Sequence, residues 1–379
     1  MSKYFVTFLF LGISFSAFCQ KYNPNINKLV NSSDQSVERI RNFEQFGLKT
    51  PGSDQINQTK SWLINQYSSY GYTNILIDSF EKNNRTYNNI VVTKQGQSNE
   101  YIIVCGHYDT RGGVGANDNG SGVAAILETA RLIADLTTIR TIKFINFDGE
   151  EEGYTGSQYY VNQTLNNQDS LLYLVLNIDQ IGGTKGESGN DKIICERDEN
   201  NSPMSNNGRS WLITDTIAQL ARLYTSLEPQ IGIVTGSDYV PFENQGYTVT
   251  GLYQYANDRF GHSAADSLGN MDTVSFKEAV KLSISSAVHF AQIPKYSGIN
   301  ELLQTQSSIF PNPANRHIQT NEFQPDELEI WTTSGQLVYQ LKNIESKTIK
   351  LPEILNDMYI VKLKKDSAVS IQKLQIAQW

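Results

Sequence analysis

The sequence predicts a three-layer α/β/α domain with a mostly parallel central sheet, followed by a small all-β sandwich domain. Three observations carry that expectation. Strand-like and helix-like segments alternate from residue 33 to residue 293, as crossover connections in a parallel sheet require. Residues 171–178 form a nearly continuous apolar run, as expected of an interior strand covered on both faces. After Pro294 the pattern changes to short alternating strands and turns.

The 379 residues leave room for a large core and more than one domain. Hydrophobic residues make up 39% and charged residues 18%, so most of the chain is expected to fold. The net charge of −8 argues against a nucleic-acid backbone as the main partner, because such binders present basic patches. The chain opens MSKYFVTFLFLGISFSAFCQ. Lys3, an apolar stretch over 5–15 and Ala17-Phe18-Cys19 form a secretory signal too short to span a bilayer. Cleavage is expected after Cys19. A lipid-modified Cys19 is the competing reading, weakened by the bulk of Phe18. No later stretch is long and apolar enough for a transmembrane segment. Cys105 and Cys195 lie in apolar runs and are expected as buried thiols rather than a disulfide. Neither has a zinc–cysteine spacing, so a metal would have to use histidine and carboxylates.

In chain order, residues 20–32 are polar and read as a loosely held lead-in. Ser33 to Ser36 offer caps for a short helix carrying Val37, Ile40 and Phe43. Thr50-Pro51-Gly52-Ser53 is a turn, and Ile56, Leu63, Tyr67 and Tyr70 keep a helical period up to Gly71. Residues 74–80 and 89–93 read as strands, with Asn83-Asn84-Arg85 turning between them. A buried strand at 102–105 is followed by a helix with Val123, Ile126, Leu127 and Ala130 on one face. The strand at 141–147 ends at Asp148-Gly149-Glu150-Glu151-Glu152-Gly153, and Gly156-Ser157 precede another helix. Residues 183–210 read as a long surface loop with one short strand at 193–195. A helix at 211–227 and a strand at 249–255 lead to Phe260-Gly261-His262. Asp272-Thr273 cap a final helix. The domain plan is a signal peptide over 1–19, an α/β domain over 20–294, a linker over 295–308 and a β-sandwich over 309–379. In that sandwich Leu328 and Ile330, then Tyr359, Val361 and Leu363, alternate, and Ser334-Gly335 mark a hairpin.

The chemistry centres on residues 101–122, YIIVCGHYDTRGGVGANDNGSG. A buried strand there delivers His107 and Asp109 into a Gly-rich loop, which then supplies Asp118. Open α/β sheets place ligands at such strand ends. Glu151, Asp179 and His262 occupy comparable positions further on. Imidazole and carboxylate together suit zinc, with cobalt or manganese also accepted. With a carboxylate able to bridge, His107, Asp118, Glu151, Asp179 and His262 suit two ions. Of the other histidines, His289 reads as packing or surface and His317 has no ligand partner nearby. Glu150 and Glu151 project differently from their strand end, so one can bind metal while its neighbour stays free to move a proton. Asp109 stands where it could hydrogen-bond the second nitrogen of His107.

The segments GHYDTRGGVGANDNGSG, FDGEEEGYTGS, NIDQIG, GSDYVPF and FGHSAAD, in this order, resemble the zinc aminopeptidase family of secreted bacterial leucyl aminopeptidases, related to glutamate carboxypeptidases and glutaminyl cyclases. The resemblance spans roughly residues 45–293. It implies a metallo-exopeptidase with two zinc ions acting on peptide substrates, in which a metal-bridging hydroxide attacks the scissile carbonyl. Asp118 would bridge the ions, His107 and Asp179 would complete one, and Glu151 and His262 the other. Glu150 would be the general base, and Asp109 would support His107. Many relatives carry His where this chain has Tyr239, which leaves the roles of Ser237, Asp238 and Tyr239 open. The tail, with IFPNPA, LEIWTTSGQLVYQ, MYIVKL and KLQI, resembles the C-terminal sorting domain of the type IX secretion system. That implies export through the periplasm to the medium or cell surface and a partner in the secretion machinery. Two other readings stand beside these. One is a glutaminyl cyclase-like single-zinc acyltransferase; the other is a non-catalytic binding protein on the same scaffold.

Overall fold

The computed structural model describes residues 22–165, 169–199, 202–294, 309–310, 314–320, 324–332, 337–353, 357–365 and 368–376. The signal peptide, the linker over 295–308 and the Ser334-Gly335 turn lie outside the described residues. The chain divides into two compact units between Tyr296 and Ser297.

In the first unit the expected lead-in is instead a capped helix, α1 (Pro24–Val30). Pro24 sits in its first turn, the Asn23 side chain accepts from the Asn25 amide, and Ile26 and Val30 are buried. Those two apolar residues in a polar stretch anchor it. Helices α2 (Ser36–Glu44) and α3 (Asp54–Ser69) follow, the latter capped by Ser53 and ended by Gly71 at φ +90°. Strands β1 (Ile75–Lys82) and β2 (Arg85–Lys94) form a hairpin. Its two turn residues, Asn83 and Asn84, have φ of 53° and 58°. Asparagine tolerates that left-handed turn, which matches the twist of the strands.

The remaining elements are β3 (Ser98–His107), α4 (Gly120–Ile133), β4 (Arg140–Phe147), α5 (Thr155–Tyr159), β5 (Leu172–Ile178), β6 (Lys192–Arg197), α6 (Asn207–Tyr224), β7 (Glu228–Ile233), α7 (Val240–Asn244), β8 (Val249–Gln254) and α8 (Thr273–Phe290). The sheet order is β1-β2-β4-β3-β5-β8-β6-β7. Its centre, β4-β3-β5-β8, is parallel throughout, while β2 meets β4 and β6 meets β8 antiparallel. Alternate residues of the central strands feed two cores. Ile102, Val104, Leu174 and Leu176 pack under α4 and α8, and Ile103, Cys105 and Val175 pack beneath Tyr160 and Phe242. That two-sided burial explains the continuous apolar runs.

A second reading of the sequence needs correction. Residues 183–210 are not simply a surface loop: β6 is an interior strand between β8 and β7, with Ile193, Cys195 and Glu196 buried. The neighbouring edge strand β7, not assigned from the sequence, carries Pro229 and Gly232, which are tolerated at a sheet edge.

The chain places β4 on one side of β3 and β5 on the other. This reversal opens a crevice at the carboxyl ends of the strands, the binding place in open α/β sheets.

The second unit holds antiparallel sheets of order β13-β10-β9 and β12-β11-β14-β15. Their strands are β9 (Ile309–Phe310), β10 (His317–Thr320), β11 (Glu327–Thr332), β12 (Leu337–Lys342), β13 (Thr348–Lys350), β14 (Met358–Lys365) and β15 (Ala368–Gln375). The alternating Leu328, Ile330, Tyr359, Val361 and Leu363 form its core.

Candidate metal centre

Each candidate ligand leaves the sheet at that crevice. His107 ends β3, Glu150 and Glu151 follow β4 in a short helical turn, Asp179 follows β5, and His262 lies beyond β8. Asp118 sits in the loop between β3 and α4. His107, Asp118 and Asp179 form one convergent set, and Asp118, Glu151 and His262 a second that shares Asp118. His107 Nε2 lies 3.3 Å from Asp118 Oδ1 and 3.4 Å from Asp179 Oδ1. His262 Nε2 lies 3.1 Å from Asp118 Oδ2 and 2.9 Å from Glu151 Oε2.

Four buried atoms in this cluster make no well-aligned hydrogen bond, although imidazole and carboxylate groups crowd against them: His107 Nε2, Asp118 Oδ2, Glu151 Oε1 and Asp179 Oδ1. Burying such groups unpaired is costly, and a cation between them removes the cost. The residues present therefore fit a divalent metal, with Asp118 offering one oxygen to each set. Asp118, held by both imidazoles against the pull of burial, has a pKa well below the usual carboxylate range. Burial opposes protonation of His107, yet Asp179 and Glu150 raise its pKa well above that of a free imidazole. A metal competes with that proton.

Glu150 Oε2 stands 4.0 Å from His107 Nε2, beside the ligand sets but in neither. Burial pushes its pKa up to about 10, opposed by His107 and reinforced by Asp179 and Asp238. Bound cations would draw it back down. The third glutamate of the run is held elsewhere: Glu152 pairs with Arg85 and accepts from the Tyr87 hydroxyl at 2.6 Å.

Asp109 is fully buried. Its backbone carbonyl lies 3.1 Å from His107 Nδ1, and its carboxylate 3.4 Å from the same atom. The carboxylate also accepts from the amides of Glu150 and Glu151, at 3.1 and 3.2 Å. The Gly-rich loop packs on the His262 segment. A Cβ at Gly112, whose φ is +73°, would lie 2.2 Å from the His262 carbonyl oxygen.

The sequence does not single out Asp266, and it leaves the roles of Ser237, Asp238 and Tyr239 open. Asp266 accepts from the Asn117 and Asp118 amides at 2.8 and 3.0 Å, fixing the backbone of the shared ligand. Ser237 donates to Asp179 Oδ2 at 2.7 Å and accepts from Asn177. Asp238 is wholly buried near Glu150, and burial raises its pKa to about 7. Tyr239 lines the same cavity as the candidate ligands, where its hydroxyl accepts from the Thr235 amide and donates to Glu196 Oε1 at 3.2 Å. His289 lies in α8 against Phe290, and His317 begins β10 in the second unit. A cavity of about 610 Å³ opens over the cluster, lined by Glu150, Glu151 and Asp179 on one side and Ile194, Glu196 and Ile233 on the other.

An open α/β sheet with convergent acid–imidazole sets at its switch point defines the class of α/β scaffolds able to hold divalent metal there. The chain belongs to peptidase family M28, whose profile matches residues 89–287. A secretion system C-terminal sorting domain matches residues 308–377. An aminopeptidase of Pseudomonas aeruginosa is 31% identical over 180 residues, which cover 47% of this chain and 33% of that protein. A probable leucine aminopeptidase 2 of Aspergillus fumigatus is 28% identical over 232 residues, 54% of this chain and 44% of that one. The chain thus spans less than half the length of these two relatives. The fold matches the LapA aminopeptidase of Legionella pneumophila, with TM-score 0.61, 19% identity, and 72% and 77% of the two chains covered. It also matches a glutaminyl cyclase of Porphyromonas gingivalis, with TM-score 0.56, 20% identity, and 67% and 96% covered.

Proposed function

We propose that the protein is an exported zinc aminopeptidase that releases residues from peptide N-termini. The observation that carries this reading is the pair of ligand sets sharing Asp118, with Glu150 beside them and outside both. His107 and Asp179 would hold one zinc, Glu151 and His262 the other, and Asp118 both. When bound, such ions polarise the scissile carbonyl and make water nucleophilic at neutral pH. Glu150 takes a proton from the attacking water as its oxygen bonds to the carbonyl carbon. Glu150 then passes that proton to the leaving nitrogen as the C–N bond breaks. Asp109 orients His107 and, through two main-chain amides, the Glu150-Glu151 turn. The filled His107–Asp179 set favours a two-ion site over a single-zinc acyltransferase.

Residues 20–294 would be the catalytic domain and 309–379 the sorting domain, joined by 295–308. The sorting-domain match supports export by the type IX route, after a signal peptide over 1–19 has taken the chain to the periplasm. No helix among the described residues is long and apolar enough to cross a membrane. The test is metal analysis of the purified chain together with release of leucine or alanine from chromogenic amides. Two zinc ions per chain with activity lost in Glu150→Gln is the expected result. Full activity in that variant would remove Glu150 from the mechanism, and cyclisation of N-terminal glutamine without amide hydrolysis would replace the reading.

A further inference from the structure

Strand β6 carries a carboxylate that the hydrolytic reading does not use. Glu196 is 7% exposed and lines the cavity over the metal ligands. Its lateral neighbours in the sheet are Gly251 on β8 and Gly232 on β7. A Cβ at Gly251 would lie 2.2 Å from Glu196 Oε2. The absent side chain is what lets this carboxylate lie over β8, towards the centre. The Tyr239 hydroxyl donates to Oε1, and no cationic side chain pairs with Glu196 among the described residues. Burial raises its pKa to about 8, with Asp179 adding to the effect. A buried carboxylate without a counter-ion is expensive to keep. Here it faces an open cavity, so a ligand can supply the missing cation.

We propose that Glu196 selects the substrate's first side chain, receiving the ammonium or guanidinium of an N-terminal lysine or arginine. This rests on the aminopeptidase reading. Across β8, Glu196 stands level with Asn177 of β5, and the candidate ligand Asp179 follows two residues further on; two strand spacings and two residues of rise set the backbones of Glu196 and Asp179 about 12 Å apart. The α-amino group of a substrate is one bond from the carbon that carries the scissile carbonyl and stays beside the metals. A long side chain bridges the remaining distance. Ile194 and Ile233 line the same cavity and offer apolar surface to its methylene stem. Gln180, which accepts from the Tyr253 hydroxyl at 2.9 Å, adds a polar group to the wall.

The test compares lysyl, arginyl, norleucyl and alanyl amides on the zinc-loaded full chain and on Glu196→Gln. Norleucine matches the lysine stem without its charge. The wild type is expected to show kcat/KM at least tenfold higher for lysyl than for norleucyl amide, and Glu196→Gln to lower that ratio tenfold or more. A wild-type ratio near one overturns the proposal without any variant. So does an equal loss on all four amides, which would assign Glu196 to the α-amino group. Should no amide be hydrolysed, the aminopeptidase reading falls by itself. Calorimetric binding of lysinamide against norleucinamide then still decides the subsite: tighter lysinamide binding that is lost in Glu196→Gln supports it, and equal binding overturns it.

Discussion

Asp109 holds Glu150 by its backbone: Asp109 Oδ1 accepts the Glu150 amide at 3.1 Å, while the same side chain stands beside His107 Nδ1. One buried carboxylate thus sets the turn bearing Glu150, the proposed base, and the imidazole of a candidate ligand. Its partner oxygen accepts the Glu151 amide, which fixes a second ligand.

Asp109→Asn retains the size of the side chain but replaces one acceptor with a donor facing a backbone amide. We expect zinc affinity or kcat to fall about 10- to 100-fold. Zinc titration and steady-state kinetics on one preparation would separate the two effects. An unchanged enzyme would mean that the turn holds its shape without Asp109.

Glu150→Gln removes the proton acceptor and leaves the ligand sets untouched. The expected loss in kcat is about 10²- to 10⁴-fold with two zinc ions still bound, read by kinetics and elemental analysis.

His262 is the candidate ligand least held by its surroundings, with its side chain 48% exposed and its backbone at φ +54°. His262→Ala should lower the zinc content from two per chain to one. His107→Ala removes a buried ligand and should lower both metal content and the melting temperature. Elemental analysis with thermal melts, before and after chelation, checks the pair.

His289 gives an acid-stability prediction away from the metals. Burial, then Arg140, lowers its pKa to about 4. Above the unfolded value, near 6.5, neither state carries the proton and the contribution is fully present. As pH falls towards 4 the unfolded chain takes up a proton that the native state refuses, so stability drops by about 3 kcal/mol and then levels off. Urea unfolding of the metal-free protein at pH 7 and pH 4 should show this loss in the wild type and much less in His289→Gln.

Deleting residues 309–379 leaves every candidate ligand in place, since all lie in the first unit. The truncated protein is expected to remain in the cell envelope, while the full chain reaches the medium or the cell surface. Fractionation with an amide assay on each fraction reads the outcome.

Sequence alone singled out the candidate ligands and the central strands that present them. His107 and Asp179 each follow an apolar run too continuous for anything but a strand buried on both faces, and a polar residue at its end is conspicuous. The alternation of Leu328 and Ile330 likewise announced the β-unit. What tertiary structure alone decided are relations between segments distant in the chain. Asp266 caps the amides of Asn117 and Asp118, Ser237 meets Asp179, and Glu196 reaches the cavity only because β6 pairs with β8 opposite Gly251. Strand β7, unassigned from the sequence, holds Pro229 and Gly232 at an edge position that no local pattern records. The physical reason is that periodicity reports which face of an element is buried, whereas the partner of a buried polar group is set by strand order, which the sequence of one strand does not carry.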